Sequence, residues 1–290
     1  MSNPDQIQRI MFDKLDIRGV VSGLEQTCSD CFKNHDYPPA IKQVLGEMLA
    51  AVSLLSSNLK FEGRLILQAQ GQGNVQLLMA ETTHNRELRA IARFDGDIPE
   101  QASFVDLLPQ GQVVLTVDPE KGQRYQGIVP LDGANLAKCL ENYFVSSEQL
   151  PTQVHLASDG LVAAGMLLQV LPAEGTGEED WARISHLGST LKSAELLQLD
   201  NETLLYRLFH EEECRLYEPD PVVFKCTCSR ERSAASLKLV GKEELLEVLE
   251  EQGQIDVNCQ FCNTHYPFDR ADVEAIFAEG GASGTSDQLH

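Results

Sequence analysis

The sequence predicts an α+β protein with three parts: an N-terminal domain with a mainly antiparallel sheet packed with helices, a helical linker, and a small C-terminal domain. Segments with strand-like patterns follow one another with few helices between them. After Leu171 the chain becomes rich in glycine and glutamate, and two close pairs of cysteines lie near the C-terminus. A chain of 290 residues suits one large and one smaller domain, because single cores seldom grow beyond roughly 250–300 residues.

The N-terminal domain, residues 1–173, contains a predicted helix in PPAIKQVLGEMLAAVSLLSSNLK. Its prolines suit a helix N-terminus, and apolar residues then recur at helical spacing. Turn residues separate the strand-like segments, which are RLILQAQ, NVQLLMAE, ELRAIARF, QVVLTVD and RYQGIVPL. The segment ANLAKCLENYFVSS indicates an amphipathic helix, and TQVHLASDG with LVAAGMLLQVL indicates a β-hairpin.

Residues 174–221 are predicted to form an acidic helical linker. Asp200 can cap a helix, whose apolar face carries Leu204, Leu205, Leu208 and Phe209. Two interpretations are open. In the first, ordinary surface helices dock on the core. In the second, the segment is metastable and its order depends on its neighbours, because isolated helices below ~12–15 residues seldom persist.

The charge of the chain argues against several classes of partner. Its 44 acidic and 23 basic residues give a net charge of -21, which repels nucleic acid and anionic membrane surfaces. The N-terminal segment lacks the basic start and apolar region of a signal peptide, and no apolar run reaches the roughly 18 residues of a membrane span. We therefore expect a cytoplasmic protein, in which eight cysteines indicate metal or redox chemistry before a disulfide scaffold.

The C-terminal domain, residues 222–278, holds the two cysteine pairs, and residues 279–290 are expected to be a disordered tail. Cys226 and Cys228 form a C-x-C motif, while Cys259 and Cys262 form C-x-x-C. Two close thiolate pairs are the usual ligand set of a closed structural zinc site. KEELLEVLEE between them predicts a helix with Leu245, Leu246 and Leu249 on one face. Two reduced pairs without metal are the alternative.

The neighbours of these cysteines bear on their reactivity. His265 could act as a ligand, but four thiols complete the shell, which favours a supporting or surface position. Lys225, Arg230 and Arg232 are expected to favour the thiolate form, which oxidants attack. Structural zinc contributes about 10–16 kcal/mol, whereas a whole domain is stable by only ~5–15 kcal/mol. A small domain that lost its zinc should therefore unfold.

Four further cysteines lie outside the two motifs. Cys28 and Cys31 are three residues apart in a predicted helix, which favours buried small side chains over a redox site. Cys139 lies on the apolar side of LAKCLENYF and is predicted to belong to the core. Cys214 follows HEEE, whose charge disfavours a thiolate. We expect all four to be inert.

FKCTCSRER together with NCQFCNTHYPF resembles the redox-regulated 33-kilodalton heat-shock chaperone family of bacteria. NHDYPPAIKQVL, QRYQGIVPL, NYFVSSEQLPT and AAGMLLQVLP are also similar to that family, so the resemblance covers essentially the whole chain.

The resemblance implies an ATP-independent holdase that is largely inactive while reduced. One zinc ion would lie on Cys226, Cys228, Cys259 and Cys262. Oxidation would pair Cys226 with Cys228 and Cys259 with Cys262, release zinc, and unfold the C-terminal domain and then the linker. Apolar surface would then bind unfolding client proteins, and the active form would be a homodimer.

Two other classes of function remain as alternatives. A thiol–disulfide oxidoreductase could use one of the cysteine pairs, although no P-loop, nucleophile elbow or dinucleotide fingerprint supports another enzyme class. A zinc-dependent nucleic-acid-binding module is suggested by the basic KCTCSRER, but the acidic surroundings oppose it. We therefore expect a chaperone and not an enzyme.

Overall fold

The computed structural model describes residues 5–57, 62–172 and 177–278. The chain divides into two compact units, residues 1–225 and 226–290. The predicted domain boundaries at 173 and 221 stay predictions, and the predicted tail, residues 279–290, lies outside the described residues.

The first unit contains strands and helices in mixed order. Its strands are β1 (Gln6–Phe12), β2 (Ile17–Leu24), β3 (Gly63–Gln70), β4 (Val75–Thr83), β5 (Glu87–Phe94), β6 (Gln112–Pro119), β7 (Tyr125–Val129), β8 (Thr152–Ser158), β9 (Ala163–Val170), β10 (Cys214–Leu216), β11 (Asp220–Pro221) and β12 (Val223–Phe224). Its helices are α1 (Gln26–Phe32), α2 (Pro39–Ser56), α3 (Phe104–Leu107), α4 (Leu136–Ser147), α5 (Glu178–Ser189), α6 (Ser193–Gln198) and α7 (Asn201–Phe209).

The strands form two six-stranded sheets. The first sheet has the order β10-β1-β2-β9-β8, and β11 also pairs with β1. The second has the order β12-β5-β4-β3-β6-β7. All described pairs are antiparallel except β12 with β5. The predicted α+β class with mainly antiparallel pairing is therefore confirmed.

The helix α2 forms the centre of the main core. Pro39 lies at its N-terminus, as the sequence predicts, and the helix contacts strands of both sheets. Its interior positions are buried on nearly every side, which is the pattern of a helix enclosed by protein. The Ser53 hydroxyl lies 2.7 Å from that of Ser22 in β2, so a buried polar pair joins the helix to the first sheet. Gly46 permits close approach there, because an added Cβ would lie 2.8 Å from the Ser158 Cβ.

The first sheet is buried on both faces. Alternation along its strands sends Ile7, Val20 and Leu167 into the main core, with α2. The opposite face, which we call the outer face, consists of Ile10, Phe12, Ile17, Val21, Ala157, Ala164, Met166 and Leu168. Burial on both faces explains why the central β9 reads as a continuous apolar run.

Helices α5, α6 and α7 cover the outer face. The helices contribute Ile184, Leu196, Leu204, Leu205, Leu208 and Phe209 to its cluster, and Leu191 joins it from the connection between α5 and α6. The Asp200 side chain accepts a hydrogen bond from the Thr203 N–H, so the predicted N-cap is confirmed. Trp181 of α5 packs partly buried against this cluster. The structure thus shows docked helices, while the metastability of this segment stays a prediction.

The second unit is small and has its own core. It comprises α8 (Arg230–Leu237), α9 (Lys242–Gln252), β13 (Ile255–Asn258), β14 (His265–Phe268) and α10 (Arg270–Ala278). Strands β13 and β14 form an antiparallel hairpin. The buried cluster of this unit consists of Leu237, Leu245, Leu249, Ile255, Phe268, Val273 and Ile276. The predicted helix is confirmed as α9, with Leu245 and Leu249 buried and Leu246 partly buried against the same cluster.

No helix among the described residues is both long enough and apolar enough to cross a bilayer.

We expect Gly46→Ala to lower the free energy of unfolding by about 1–3 kcal/mol, because overpacking a closed contact outweighs the ~1 kcal/mol gain in helix propensity. Chemical denaturation of the full chain measures this change. Gly23→Ala is the matched control, because a Cβ at Gly23 meets nothing within 4 Å. Equal stabilities of the two variants would contradict the close packing of α2 on the first sheet.

Candidate metal centre

The four motif cysteines are held by two short segments of the second unit. Cys226 and Cys228 lie in the short connection between β12 and α8, whose N-cap is Ser229. Cys259 and Cys262 lie in the turn between β13 and β14. The Cys259 N–H donates to the Thr264 carbonyl (2.9 Å), which closes this turn. The short spacing within each motif lets each segment bring two sulfurs to the same place.

The sulfurs converge on one point. All four Sγ atoms lie within 4.8 Å of one another, an arrangement that could hold a metal ion. Close sulfur contacts join the motifs, among them Cys226 to Cys259 at 3.6 Å and Cys228 to Cys262 at 3.4 Å. Cys262 is buried and the others are half-buried. The sequence thus identified the four side chains that the fold brings together.

Hydroxyl groups contact two of the four sulfurs. The Tyr266 hydroxyl donates to Cys228 Sγ at 3.1 Å, which raises the pKa of the tyrosine to about 12. The Thr264 hydroxyl lies 3.1 Å from Cys262 Sγ. Hydrogen bonds to a sulfur that carries charge stabilise its thiolate form.

The thiols differ in their tendency to ionise. Burial raises the pKa values of Cys226 and Cys228, because a thiolate loses solvation there. Burial also opposes ionisation of Cys262, but hydrogen bonds from Thr264 and the neighbouring thiols lower its pKa to about 7. Without a cation, this cluster therefore favours partial ionisation. A bound divalent metal would hold all four sulfurs as thiolates.

The three nearby cations have other partners. Lys225 pairs with Glu87, and Arg230 pairs with Asp272 at 2.7 Å. Arg232 donates to the Thr227 carbonyl at 2.7 Å and so braces the C-x-C segment. The expectation that these residues favour the thiolates stays a prediction. Their described hydrogen bonds and ion pairs are made to oxygen atoms of carboxylate, carbonyl and hydroxyl groups.

His265 lies beside the cluster but outside the group of converging sulfurs. Its Nε2 atom lies 2.7 Å from Asp256 Oδ1 across the β13–β14 hairpin, and both side chains are about half exposed. The predicted supporting or surface position is confirmed.

The other cysteines occupy the environments that the sequence indicated. Cys28 and Cys31 are buried in α1, where burial raises both pKa values, that of Cys31 to about 12. Cys139 is buried in α4, with its pKa raised by burial. Cys214 begins β10, and burial followed by the charge of Glu212 raises its pKa to about 11. All four environments disfavour the reactive thiolate.

Sequence reasoning missed the two hydroxyl groups that contact the sulfurs. Thr264 and Tyr266 alternate along the segment that leaves the second motif. Thr264 directly precedes β14 and Tyr266 lies within it, and in extended chain this spacing would place both side chains on one side. The strand has only four residues, which is too short for a clear periodic pattern.

Comparisons with known proteins agree across nearly the whole chain. Residues 5–269 match the family model described as Hsp33 protein. The chain is 51% identical to a 33 kDa chaperonin of Pseudomonas aeruginosa strain PAO1, with 100% of both chains covered. It is 46% identical to a 33 kDa chaperonin of Shewanella loihica, over 97% of this chain and 98% of that protein.

A solved structure shows the same fold. The crystal structure of a 33 kDa chaperonin from Thermotoga maritima, described as a heat shock protein 33 homologue, matches with a TM-score of 0.85 and 24% identity. The match covers 96% of this chain and 99% of that one. The family model and the full-length relatives establish that this chain belongs to the Hsp33 family.

Proposed function

We propose that this protein is a redox-regulated, ATP-independent chaperone (a holdase) whose four-cysteine cluster controls access to apolar surface. The convergence of four sulfurs in a small unit of an Hsp33-family chain carries this proposal. Curated relatives bear the name 33 kDa chaperonin, which favours a binding role over an enzymatic one.

We infer that the metal is zinc, held by Cys226, Cys228, Cys259 and Cys262. A tetrahedron with ~2.3 Å metal–sulfur bonds has sulfur–sulfur edges of ~3.8 Å. The contacts of 3.4 and 3.6 Å and the upper limit of 4.8 Å fit such edges with small adjustments. A ligand set of four thiolates suits zinc in a closed structural site. When bound, zinc would supply the positive charge that keeps all four sulfurs deprotonated.

Oxidation of the cluster would remove its ligands. In each pair, one thiolate attacks the O–O bond of peroxide and becomes a sulfenic acid, whose oxygen the second sulfur displaces as water. In total, four thiolates, two peroxides and four protons yield two disulfides and four waters. The proposed pairs, Cys226 with Cys228 and Cys259 with Cys262, rest on the family resemblance, because the sulfur contacts of 3.4 and 3.6 Å join one motif to the other.

The second unit could not compensate for the lost metal. Its core consists of one small cluster of buried side chains, and units of this size depend on metals or disulfides for stability. Loss of zinc would remove a binding free energy of about 10–16 kcal/mol, which is more than such a core supplies. We propose that this unit, taken as residues 222–278, unfolds upon oxidation.

Unfolding would then extend to the linker, taken as residues 174–221. Its helices have only 12, 6 and 9 residues and depend on packing against the outer face. Their release would uncover the apolar outer face on a core of residues 1–173. That surface would bind unfolding proteins in the cytoplasm, and the active state would be a homodimer.

The proposed function is tested by measuring metal release and client aggregation under the same conditions. Peroxide at raised temperature should release about one zinc per chain and turn the full-length protein from inactive to active in suppressing client aggregation, because the metal holds the second unit folded. A chromogenic chelator measures zinc, and light scattering of an unfolding client measures aggregation.

Cys214→Ser is the matched control for this test, because Cys214 lies outside the cluster and should leave both responses unchanged. Cys228→Ser should bind zinc poorly and suppress aggregation without oxidant. Complete zinc loss without any change in client aggregation would overturn the proposed function.

The disulfide pairing can be read from tryptic peptides. Cleavage after Lys225 and Arg230 isolates Cys226 with Cys228, whereas Cys259 and Cys262 remain in one peptide that ends at Arg270. Pairing within each motif should yield separate peptides, each lighter by two hydrogens than its reduced form. A cross-linked pair of peptides in the mass spectrum of the oxidised, unreduced digest would contradict the proposed pairing.

We expect Tyr266→Phe to weaken zinc binding by about 10–100-fold, because the variant removes a hydrogen bond to a ligating sulfur. Competition with a chelator measures the affinity of the reduced chain. His265→Asn is the matched control on the same strand, since His265 contacts Asp256. Equal zinc affinities of the Tyr266→Phe and unmodified chains would show that this hydroxyl does not support the site.

A further inference from the structure

Both sheets of the first unit end in an edge covered by one short segment. Residues 213–225, which we call the strap, supply β10 and β11 to the edge of β1 and β12 to the edge of β5. These strands have three, two and two residues. Strand edges covered by such short pieces have unpaired backbone groups as soon as the pieces leave.

The contact of the strap with β5 has three components. The first is backbone pairing: the Val223 N–H donates to the Arg86 carbonyl (3.2 Å), and the Lys225 N–H donates to the Leu88 carbonyl (3.0 Å). The pairing is parallel, with Val223 opposite Glu87. Such bonds recognise an extended backbone whatever its side chains.

The second component is a pair of apolar positions two residues apart. Val222 is 3% exposed, and Phe224 packs partly buried against the main core. Val223 between them is 48% exposed. This alternation is that of a strand with one face toward protein and one toward solvent.

The third component is an ion pair on each side of these apolar positions. Asp220 pairs with Arg86 at 2.7 Å, and Lys225 pairs with Glu87. A ligand in the same position would therefore be favoured by an acidic residue before its apolar positions and a basic residue after them.

We propose that the β5 edge, together with the space that Val222 and Phe224 occupy, binds an extended apolar segment of an unfolding protein by strand addition once the strap leaves. This inference rests on the proposed function, because oxidation must first release the chain that follows Lys225. In the reduced chain, the strap is an intramolecular competitor and excludes outside segments by its high effective concentration. Cys226 follows Lys225 directly, so unfolding of the cluster frees the end of the strap.

The alternating pattern suits this partner. Segments that unfold from protein cores expose apolar residues at every second position where they came from strands. An edge that pairs with backbone and accepts two alternate side chains accommodates many such sequences, which a general holdase requires.

The experiment uses a fluorescein-labelled peptide with the sequence EPDPVVFK, which is that of residues 218–225. Fluorescence anisotropy should show at least ~10-fold tighter binding to the oxidised, zinc-free full chain than to the reduced, zinc-loaded chain. A matched peptide carrying V222N and F224N should bind the oxidised chain about 10-fold more weakly, because it lacks the apolar anchors.

Exchanging the charges of the Glu87–Lys225 ion pair between chain and peptide tests whether the peptide binds at the β5 edge. Glu87→Lys in the chain should weaken binding of the unmodified peptide. A peptide carrying K225E should regain affinity for this variant chain, because the ion pair is then re-formed with its charges exchanged. An unfolding client should displace the bound peptide. If Glu87→Lys lowers peptide affinity without rescue by K225E, or has no effect, the site is not at the β5 edge.

The outcomes separate this inference from the proposed function. An oxidised chain that fails to suppress aggregation overturns the proposed function. An oxidised chain that suppresses aggregation but binds both peptides equally overturns only the inference. A third outcome has two parts: the peptide dissociates a dimer, as measured by size-exclusion chromatography, and no client displaces the peptide. This outcome would assign the edge to a second copy of this chain, and would also overturn the inference.

Discussion

Four thiols cannot all ionise within 4.8 Å of one another unless a cation offsets the repulsion between their charges. Burial adds to the cost of ionisation, because it raises the pKa values of Cys226 and Cys228. The second unit therefore brings its two segments together at a point that a metal ion would stabilise and that loss of the metal would destabilise. A core of small size leaves this unit sensitive to the state of its sulfurs.

The first unit has a different constraint, since one of its sheets is apolar on both faces. The face toward α2 is covered by the main core, whereas the outer face relies on three helices of a charged segment. The cluster on the α2 side contains no side chain from those three helices, so its burial does not depend on them. This asymmetry would let a stable scaffold present apolar surface without unfolding itself.

Much of this arrangement could be predicted from the sequence, because long periodic segments carry a strong signal. The helix α2, strands β3 to β7 and the hairpin of β8 with β9 were predicted close to their observed positions, as were the four converging cysteines. Strands β1 and β2 were not predicted. Strands β10, β11 and β12 have two or three residues each, and only tertiary pairing with β1 and β5 defines them. The partners of Arg230 and Arg232 likewise depend on side chains distant in sequence, which no local pattern reveals.

Trp181 is the only tryptophan in the sequence, and it lies partly buried on α5 against the outer-face cluster. Indole emission responds to the polarity around the ring. The unmodified chain therefore carries an optical reporter at the place where its helices meet the sheet. Because this is the sole indole of the sequence, the steady-state emission spectrum reports on the surroundings of one helix.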